Sequence, residues 1–271
     1  MRASLFAVGL WAAASAQASA CQLSLEGPAM QGGLLIGKAP VGSKVKVDGK
    51  NVHVAPDGRF AVGFGRDAKA KTQVEAETPD GRKLGCPITV AKRQYQVQRI
   101  DGLPKRQVTP KPEDIARIKR DNAAIGQVRR RDTASTAFAA TFTWPVKGRI
   151  SGIFGSRRIL NGKPRRPHNG VDIAAPQGTS IVAPAPGVVA LVHPDMFYTG
   201  KSVMLDHGHG LSSIYVHMSA ISVKSGEWVE AGRKIGKVGK TGRATGPHLH
   251  WGVSLFLTHL DPALLAGKMR K

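Results

Sequence analysis

The stretch GPHLHWGVSL, residues 246–255, predicts a β-strand that carries two histidines on one face. Residues two apart along a strand point to the same side of the sheet, so His248 and His250 face one space while Leu249 points away. Two imidazoles side by side suit a metal ion with a neighbouring base better than an apolar core. The alternative interpretation is a pair of exposed strand histidines.

A second group lies about eighty residues earlier. Eight of the nine histidines fall between His168 and His259, which concentrates imidazoles in the last part of the chain. His168 and Asp172 are four residues apart and form a plausible half-site for zinc, which accepts nitrogen and oxygen ligands. Gly170 between them favours an extended or looped backbone over a helix. On its own this spacing is weak evidence, because many proteins contain it.

A third group surrounds a predicted hairpin. The segment HGHG, residues 207–210, is typical of a turn, so we expect His207 and His209 to be turn residues. His217 lies at the end of the returning strand, where it can face inward together with Tyr215.

These groups together resemble the lysostaphin-type zinc endopeptidases of peptidoglycan. The ordered set is His168-x3-Asp172, His217 and His248-x-His250, and no departure occurs at these five positions. The resemblance covers roughly Trp144 to Leu265, less than half of the chain. Its supporting segments are FGSR (154–157), APAPG (183–187), GEWVEAGRKIGKVG (226–239) and TGRATGPH (241–248).

The resemblance implies that His168, Asp172 and His250 hold Zn²⁺ and that His217 and His248 are catalytic. A catalytic zinc site keeps three protein ligands and one position for water, whose pKa it lowers from about 15.7 to about 7. The sequence has no His-Glu-x-x-His motif to supply a glutamate base. One of the two catalytic histidines must then move the proton, while the other can stabilise the oxyanion.

The implied activity is hydrolysis of the peptide cross-links of peptidoglycan by metal-activated water, on an antiparallel β domain with a groove. The motifs fit both pentaglycine bridges and direct D-alanyl–diaminopimelate bonds. The alternative function is that of a non-enzymatic activator or scaffold for other cell-wall hydrolases, because some relatives act in that way after losing ligands.

The fold class predicted for the whole chain is mainly β, with a different character in each of three regions. Residues 21–93 form a small β-sandwich-like domain, residues 94–140 a basic linker with a helix, and residues 141–271 the catalytic domain. Short apolar stretches between turn residues predict the strands. In the first domain these are 34–36, 44–47, 60–64, 74–76 and 87–90; in the catalytic domain they are 187–192, 202–205, 212–216, 235–238 and 250–255.

The linker is dominated by Lys and Arg. Ile115, Ile118 and Ile125 have helical spacing, and acidic residues at the start favour a helix from Pro112 to Arg131. A solvated, partly disordered tether is the alternative. Because an open hydrolase site would endanger the cell that makes it, we expect residues 21 to about 140 to restrain the catalytic domain; targeting and stabilisation are the other roles such a module can have.

The N-terminus predicts export. Residues 1–20 combine Arg2, a short apolar run and a small-residue cleavage pattern, as in a signal peptide, and no other apolar run could cross a membrane. The protein is therefore expected in the periplasm or outside the cell. There, Cys21 and Cys86 most simply form a disulfide. Acylation of Cys21 as a lipoprotein is the alternative.

The net charge of +22 favours polyanionic partners. For an exported protein these are anionic wall polymers, and regulatory envelope proteins are further candidates. Nucleic acid is not expected, because the chain lacks zinc-finger spacing, a helix-turn-helix pattern and aromatic-rich strands.

Overall fold

Strands make up most of the regular structure in residues 21–270, the part of the chain that the computed structural model describes. The expected signal peptide, residues 1–20, lies outside the described residues. The strands are β1 (Ser24–Glu26), β2 (Leu34–Lys38), β3 (Lys44–Val47), β4 (Lys50–Val52), β5 (Arg59–Gly63), β6 (Lys71–Glu77), β7 (Lys83–Thr89), β8 (Val97–Ile100), β9 (Arg149–Gly152), β10 (Arg157–Leu160), β11 (Lys163–Arg165), β12 (Val171–Ala174), β13 (Ser180–Val182), β14 (Gly187–Met196), β15 (Gly200–Gly208), β16 (Leu211–Ile221), β17 (Trp228–Val229), β18 (Lys234–Val238), β19 (His248–Leu255) and β20 (Thr258–Leu260).

Helices are few and short. They are α1 (Lys105–Val108), α2 (Pro112–Arg129) and α3 (Pro262–Ala266), with a 3-10 turn at Thr136–Ala139. None of the helices between residues 21 and 270 is long and apolar enough to cross a membrane. The predicted mainly-β class is confirmed, and every predicted strand overlaps an observed one. The prediction succeeded because apolar side chains alternate along these segments and turn residues separate them.

The first domain is a sandwich of two antiparallel sheets. Their strand orders are β1-β2-β5 and β4-β3-β6-β7. The shared core contains Phe60 and Val74, both with no exposed surface. The predicted disulfide is present: Cys21 is joined to Cys86 in β7, which fixes the start of the described chain to the edge of the second sheet.

A larger antiparallel sheet forms the second half of the chain. Its main path has the order β17-β14-β15-β16-β19-β12-β9; off this path, β18 pairs with β16 and with β13, and β20 pairs with β19. The central strands β15, β16 and β19 are buried almost throughout. Tyr215 and Trp251 face each other across β16 and β19 and are completely buried. These aromatic side chains pack at the centre of the sheet, in the same strands that carry His217 and His250.

Residues 94–140 lie against the larger sheet. β8 pairs in parallel with β10, which in turn pairs with β11. The helix predicted in this region is present as α2, and its buried Ile125 and Val128 pack with Met204 and Ile214 of the sheet. The alternative of a solvated tether is therefore wrong. Apolar burial on one face holds this helix, despite its basic composition.

Contacts between the first domain and the larger sheet involve His53. His53 is half-buried: it stacks on His209 at 4.1 Å between ring centroids and donates to Asp132 at 2.8 Å. On the far side, His209 stacks on Phe138, also at 4.1 Å. The partners of His53 lie 79 or more residues away in the chain, so no local pattern indicates these contacts.

Of the two histidines predicted to lie in the turn, His209 does and His207 does not. His209 has φ +49° and does lie in the turn between β15 and β16. His207 lies in β15, completely buried, where its Nδ1–H donates to the Pro186 carbonyl at 2.6 Å and its Nε2 accepts from Ser213 Oγ at 2.8 Å. Its assignment to the turn was wrong, because the turn is shorter than the repeated His-Gly pattern suggests.

Candidate active site

Strand pairing brings the two halves of the predicted metal site together. β12 and β19 are antiparallel neighbours, and their register places Asp172 directly opposite His250. His168 precedes β12 in a loop, as the intervening Gly170 predicted, and its backbone N–H and C=O bond to Ser156 and Gly155. Two segments about eighty residues apart therefore position three buried side chains in one place.

Three side-chain atoms form a nearly equilateral triangle. His168 Nε2 lies 2.9 Å from His250 Nδ1, His250 Nδ1 lies 2.8 Å from Asp172 Oδ1, and Asp172 Oδ1 lies 3.1 Å from His168 Nε2. In tetrahedral zinc with bonds near 2.1 Å, ligand atoms are about 3.4 Å apart. The triangle is a slightly contracted face of such a tetrahedron.

Hydrogen bonds to the outer atoms of His168 and Asp172 leave the acceptor atoms of both side chains facing the centre of the triangle. His168 donates its Nδ1–H to the Ile153 carbonyl at 3.0 Å, which leaves Nε2 with a lone pair in the neutral tautomer. Arg158 donates to Asp172 Oδ2 at 2.5 Å, so the other oxygen faces the histidines. Two acceptors, His168 Nε2 and Asp172 Oδ1, therefore face each other, an arrangement that requires a cation or a shared proton. The donor set of two imidazoles and one carboxylate fits zinc.

The pKa values of Asp172 and His250 favour the protonation states in which these side chains bind a metal. Burial alone would raise the pKa of Asp172, but the adjacent imidazoles of His168 and His250 hold that pKa well below its usual value. Burial lowers the pKa of His250 to about 4, against the opposing effect of Asp172. At neutral pH the site thus presents a carboxylate and neutral imidazole, which are the states that bind metals.

The two predicted catalytic histidines lie beside the triangle. The ring centroids of His217 and His248 are 4.8 Å apart, and His248 Nε2 is 4.0 Å from Asp172 Oδ1. Each donates its Nδ1–H to a backbone carbonyl, His217 to Thr241 at 2.7 Å and His248 to Gly246 at 2.8 Å. Their Nε2 atoms therefore remain available to exchange a proton with a substrate.

An irregularity in β16 aims His217. The residue has φ +64°, in the left-handed region that β-strand residues rarely adopt, and the pairing of β16 with β15 shifts register at this point. A bulge of this kind re-aims a side chain relative to the regular alternation. Burial, together with the charges of His248 and His250, lowers the pKa of His217 to about 3, so it is a neutral base at physiological pH.

Two glycines allow the backbone to approach the triangle closely. A methyl group on Gly152 would lie 3.0 Å from Cγ of Asp172, and one on Gly170 would lie 2.9 Å from Cε1 of His250. Neither position has room for a larger residue. The packing of β9 therefore helps to fix the side chain of Asp172, and the packing of the loop before β12 helps to fix that of His250.

Cavities open on both sides of the triangle, and residues 94–140 form part of both. The smaller cavity, about 260 Å³, is lined by Asp172, His217 and His248 on one side and by Gln98 and Leu103 on the other. The larger cavity, about 1080 Å³, lies between α2 and the segment 165–169, and is also lined by His168, His217 and His250. The walls of the cleft are thus built in part from the region before the catalytic domain.

Sequence reasoning missed two residues of the site. Arg158 immediately follows the segment FGSR, so its position beside a family-like motif was an available signal. Gln98 accepts from Arg158 Nε at 3.3 Å and donates to the Ser151 carbonyl at 3.1 Å. No local pattern indicated Gln98, because its role depends on the pairing of β8 with β10.

Comparison with known proteins agrees with this geometry. The model of peptidase family M23 matches residues 166–262, which contain all five site residues. Peptidoglycan DD-endopeptidase ShyA of Vibrio cholerae is 44% identical over 113 residues, which are 40% of this chain and 26% of ShyA. DD-carboxypeptidase/endopeptidase Mpg of Neisseria meningitidis is 42% identical over 121 residues, 45% of this chain and 28% of Mpg. The chain thus matches only about a quarter of the length of these relatives.

A solved structure extends the likeness beyond the site. A Pseudomonas aeruginosa protein assigned to peptidase M23 is 34% identical, with a TM-score of 0.68. The similarity covers 88% of this chain and 95% of that one, so it includes the first domain and the linker. The chain belongs to peptidase family M23.

Proposed function

We propose that the protein is an exported zinc-dependent endopeptidase that hydrolyses peptide cross-links of peptidoglycan in the cell envelope. The observation that carries this proposal is the triangle of His168 Nε2, Asp172 Oδ1 and His250 Nδ1, with edges of 2.8–3.1 Å. The name of ShyA, a peptidoglycan DD-endopeptidase, supports the substrate class, and that of Mpg, a DD-carboxypeptidase/endopeptidase, supports the peptidase activity.

The residues around the triangle have separate roles in the proposed reaction. His168, Asp172 and His250 would hold zinc, which supplies Lewis-acid activation of water and of the scissile carbonyl. His217 and His248 present Nε2 atoms that accept a proton from the attacking water and return one to the leaving amine. Thr241 and Gly246 keep both imidazoles in the required tautomer through their carbonyls. Arg158 holds the carboxylate of Asp172 in its orientation.

The alternative function, a non-enzymatic activator or scaffold, does not require this arrangement. An activator gains nothing from two imidazoles held with their Nε2 atoms free beside an intact ligand triangle. Restraint of the catalytic domain by residues 21–140 stays a prediction. Because α2 covers Met204 and Ile214, removing residues 21–140 would expose apolar sheet surface, and substitutions test that idea better than truncation.

Alanine substitutions separate the proposed roles. His217→Ala and His248→Ala are expected to retain zinc and to lose turnover of cross-linked muropeptides by roughly 10²–10⁴-fold. His168→Ala and His250→Ala are expected to lose both zinc and turnover. His193→Ala, whose side chain lines neither cavity, is the matched control and keeps both.

Zinc content by elemental analysis and cleavage by mass spectrometry distinguish the outcomes. Full turnover in both His217→Ala and His248→Ala would exclude the proposed proton transfer. A protein that retains zinc, cleaves no muropeptide and stimulates another wall hydrolase would establish the activator function instead.

A further inference from the structure

The larger cavity beside the triangle has an unusual charge. Seven of its lining residues are Lys or Arg and none is Asp or Glu. It reaches the candidate ligands His168 and His250, so a molecule that is cleaved at the triangle can extend into it. A wall of one charge sign concentrates ligands of the opposite sign.

Few of these cations are neutralised within the described chain. Arg158 has a carboxylate partner, Asp172. Arg165 and Arg243 bond only to backbone carbonyls through their guanidinium groups. Arg129 forms no ion pair with any described residue, and its Nε is inaccessible to solvent without a hydrogen-bond partner.

The position of Arg129 is fixed by the packing of its helix. It is the last residue of α2, directly after the buried Val128, which packs with Met204 and Ile214. Burial lowers the pKa of Arg129 to about 10, so the guanidinium is still charged at neutral pH. Arg129 is only partly exposed and has no ionic partner among the described residues, so an anion that enters the cavity would supply one.

Other basic groups lie around Arg129. Burial first, and then the charges of Arg129, His250 and Arg166, lower the pKa of His259 to about 4. His259 belongs to β20, Arg166 to the segment before His168, and Arg129 to α2; Arg129 and Arg166 line the larger cavity. No carboxylate of the described residues lines this cavity.

We infer that the larger cavity binds a free carboxylate of the substrate peptide, with Arg129 as the principal ligand and Arg166 at the exposed rim. This inference rests on the proposed function and makes it more specific. It assigns as substrate a peptide stem that retains free carboxylates next to the scissile bond. An uncharged glycine bridge would leave Arg129 without a partner.

The chemistry of the cavity favours a carboxylate carried by the peptide itself. A guanidinium presents parallel N–H donors that match the two oxygens of a carboxylate. Because the cavity shares His168 and His250 with the triangle, the bound group and the scissile bond can belong to one molecule. The volume of about 1080 Å³ accommodates several residues of a peptide, far more than one small anion.

The test measures binding without requiring activity. Metal-free protein is titrated with a cross-linked muropeptide dimer bearing free carboxylates, and with the same dimer after its carboxylates are amidated. We expect the wild type to bind the free-carboxylate dimer about 10–100-fold more tightly, the range for a charge-assisted hydrogen-bond pair. Arg129→Gln should abolish this preference, and Arg166→Gln, which changes an exposed residue and leaves the core intact, should reduce it several-fold.

Arg120→Gln is the matched control, because Arg120 is exposed on the same helix and lines neither cavity. It should bind both dimers like the wild type. Equal binding of both dimers by the wild type, or a preference that survives in both Arg129→Gln and Arg166→Gln, would overturn the inference. A loss in Arg120→Gln as large as in Arg129→Gln would also overturn it, by showing diffuse charge attraction. Turnover by zinc-loaded protein is measured separately, so failure to cleave refutes the proposed function while the binding result still decides the inference.

Discussion

Replacing Gly152 with alanine tests how closely β9 approaches the candidate ligands. A methyl group there would lie 3.0 Å from Cγ and 3.2 Å from Cβ of Asp172, and closer still to Oδ2. Carbon atoms pack best at about 3.5–4.0 Å, so the carboxylate must move by roughly 0.5–1 Å. Metal–ligand distances vary by only about 0.2 Å. The larger shift of the carboxylate would therefore take Asp172 Oδ1 out of the triangle or break the hydrogen bond from Arg158 to Oδ2.

The expected result is a large loss of metal affinity with a smaller loss of stability. Disturbing the groups that orient a ligand typically costs about 10–100-fold in affinity, and displacing the ligand itself should cost at least that much. Overpacking adds about 1–3 kcal/mol of destabilisation. Gly246→Ala is the matched control, since Gly246 lines the smaller cavity but has no atom within 4 Å of an added methyl group.

The assay is competition for zinc against a chromophoric chelator, with denaturant unfolding of the metal-free variants alongside. Gly246→Ala should retain the affinity of the wild type. If folded Gly152→Ala bound zinc as tightly as Gly246→Ala, then the Asp172 carboxylate would not be a ligand in the position described, and the site would have to be reassigned.

Two further predictions concern stability and a third concerns the disulfide. Burial lowers the pKa of His207 to about 4, below its unfolded value of about 6.5, so its contribution is complete above pH 6.5 and is lost as pH falls towards 4. Over that range the unfolding free energy of the wild type should fall about 3 kcal/mol more than that of His207→Gln; parallel pH profiles would contradict this. Ile125→Ala, at a buried position of α2, should lose about 2–4 kcal/mol in urea unfolding, whereas exposed Ile115→Ala should change by less than about 0.5; equal losses would show that the helix does not pack as described. Non-reducing peptide mapping of exported protein should recover Cys21 linked to Cys86, and a lipid adduct on Cys21 would refute the disulfide.

Local pattern was sufficient for most strands and for the shared face of His248 and His250, whereas the set of three ligands was predicted from the resemblance to lysostaphin-type endopeptidases. His248 and His250 are two apart in β19, and pairing with β12 then places Asp172 opposite His250. His168 was assigned by the resemblance, and the loop that contains Gly170 places it beside the other two. The strands and the shared face depend on alternation and spacing, which a sequence displays directly.

The contribution of residues 94–140 to the cleft could not be predicted in the same way. β8 has no strong apolar alternation, and its pairing with β10 is decided by tertiary contacts such as Gln98 with Arg158. The bulge that aims His217 also arises from pairing, because a φ of +64° at a histidine has no local sequence signal. His207 was misassigned for a related reason: burial by distant residues, and not the His-Gly repeat, determines its place in β15.

The most direct test of the central claim is cleavage of purified cross-linked muropeptides by the purified protein before and after metal exchange. Mass spectrometry should show dimers converted to monomers with the addition of one water, no conversion after chelation, and recovery when about one zinc per chain is restored. Cleavage that survives complete removal of metal, or its absence in folded protein with one zinc bound, would contradict the assignment of His168, Asp172 and His250 as the centre of a zinc endopeptidase.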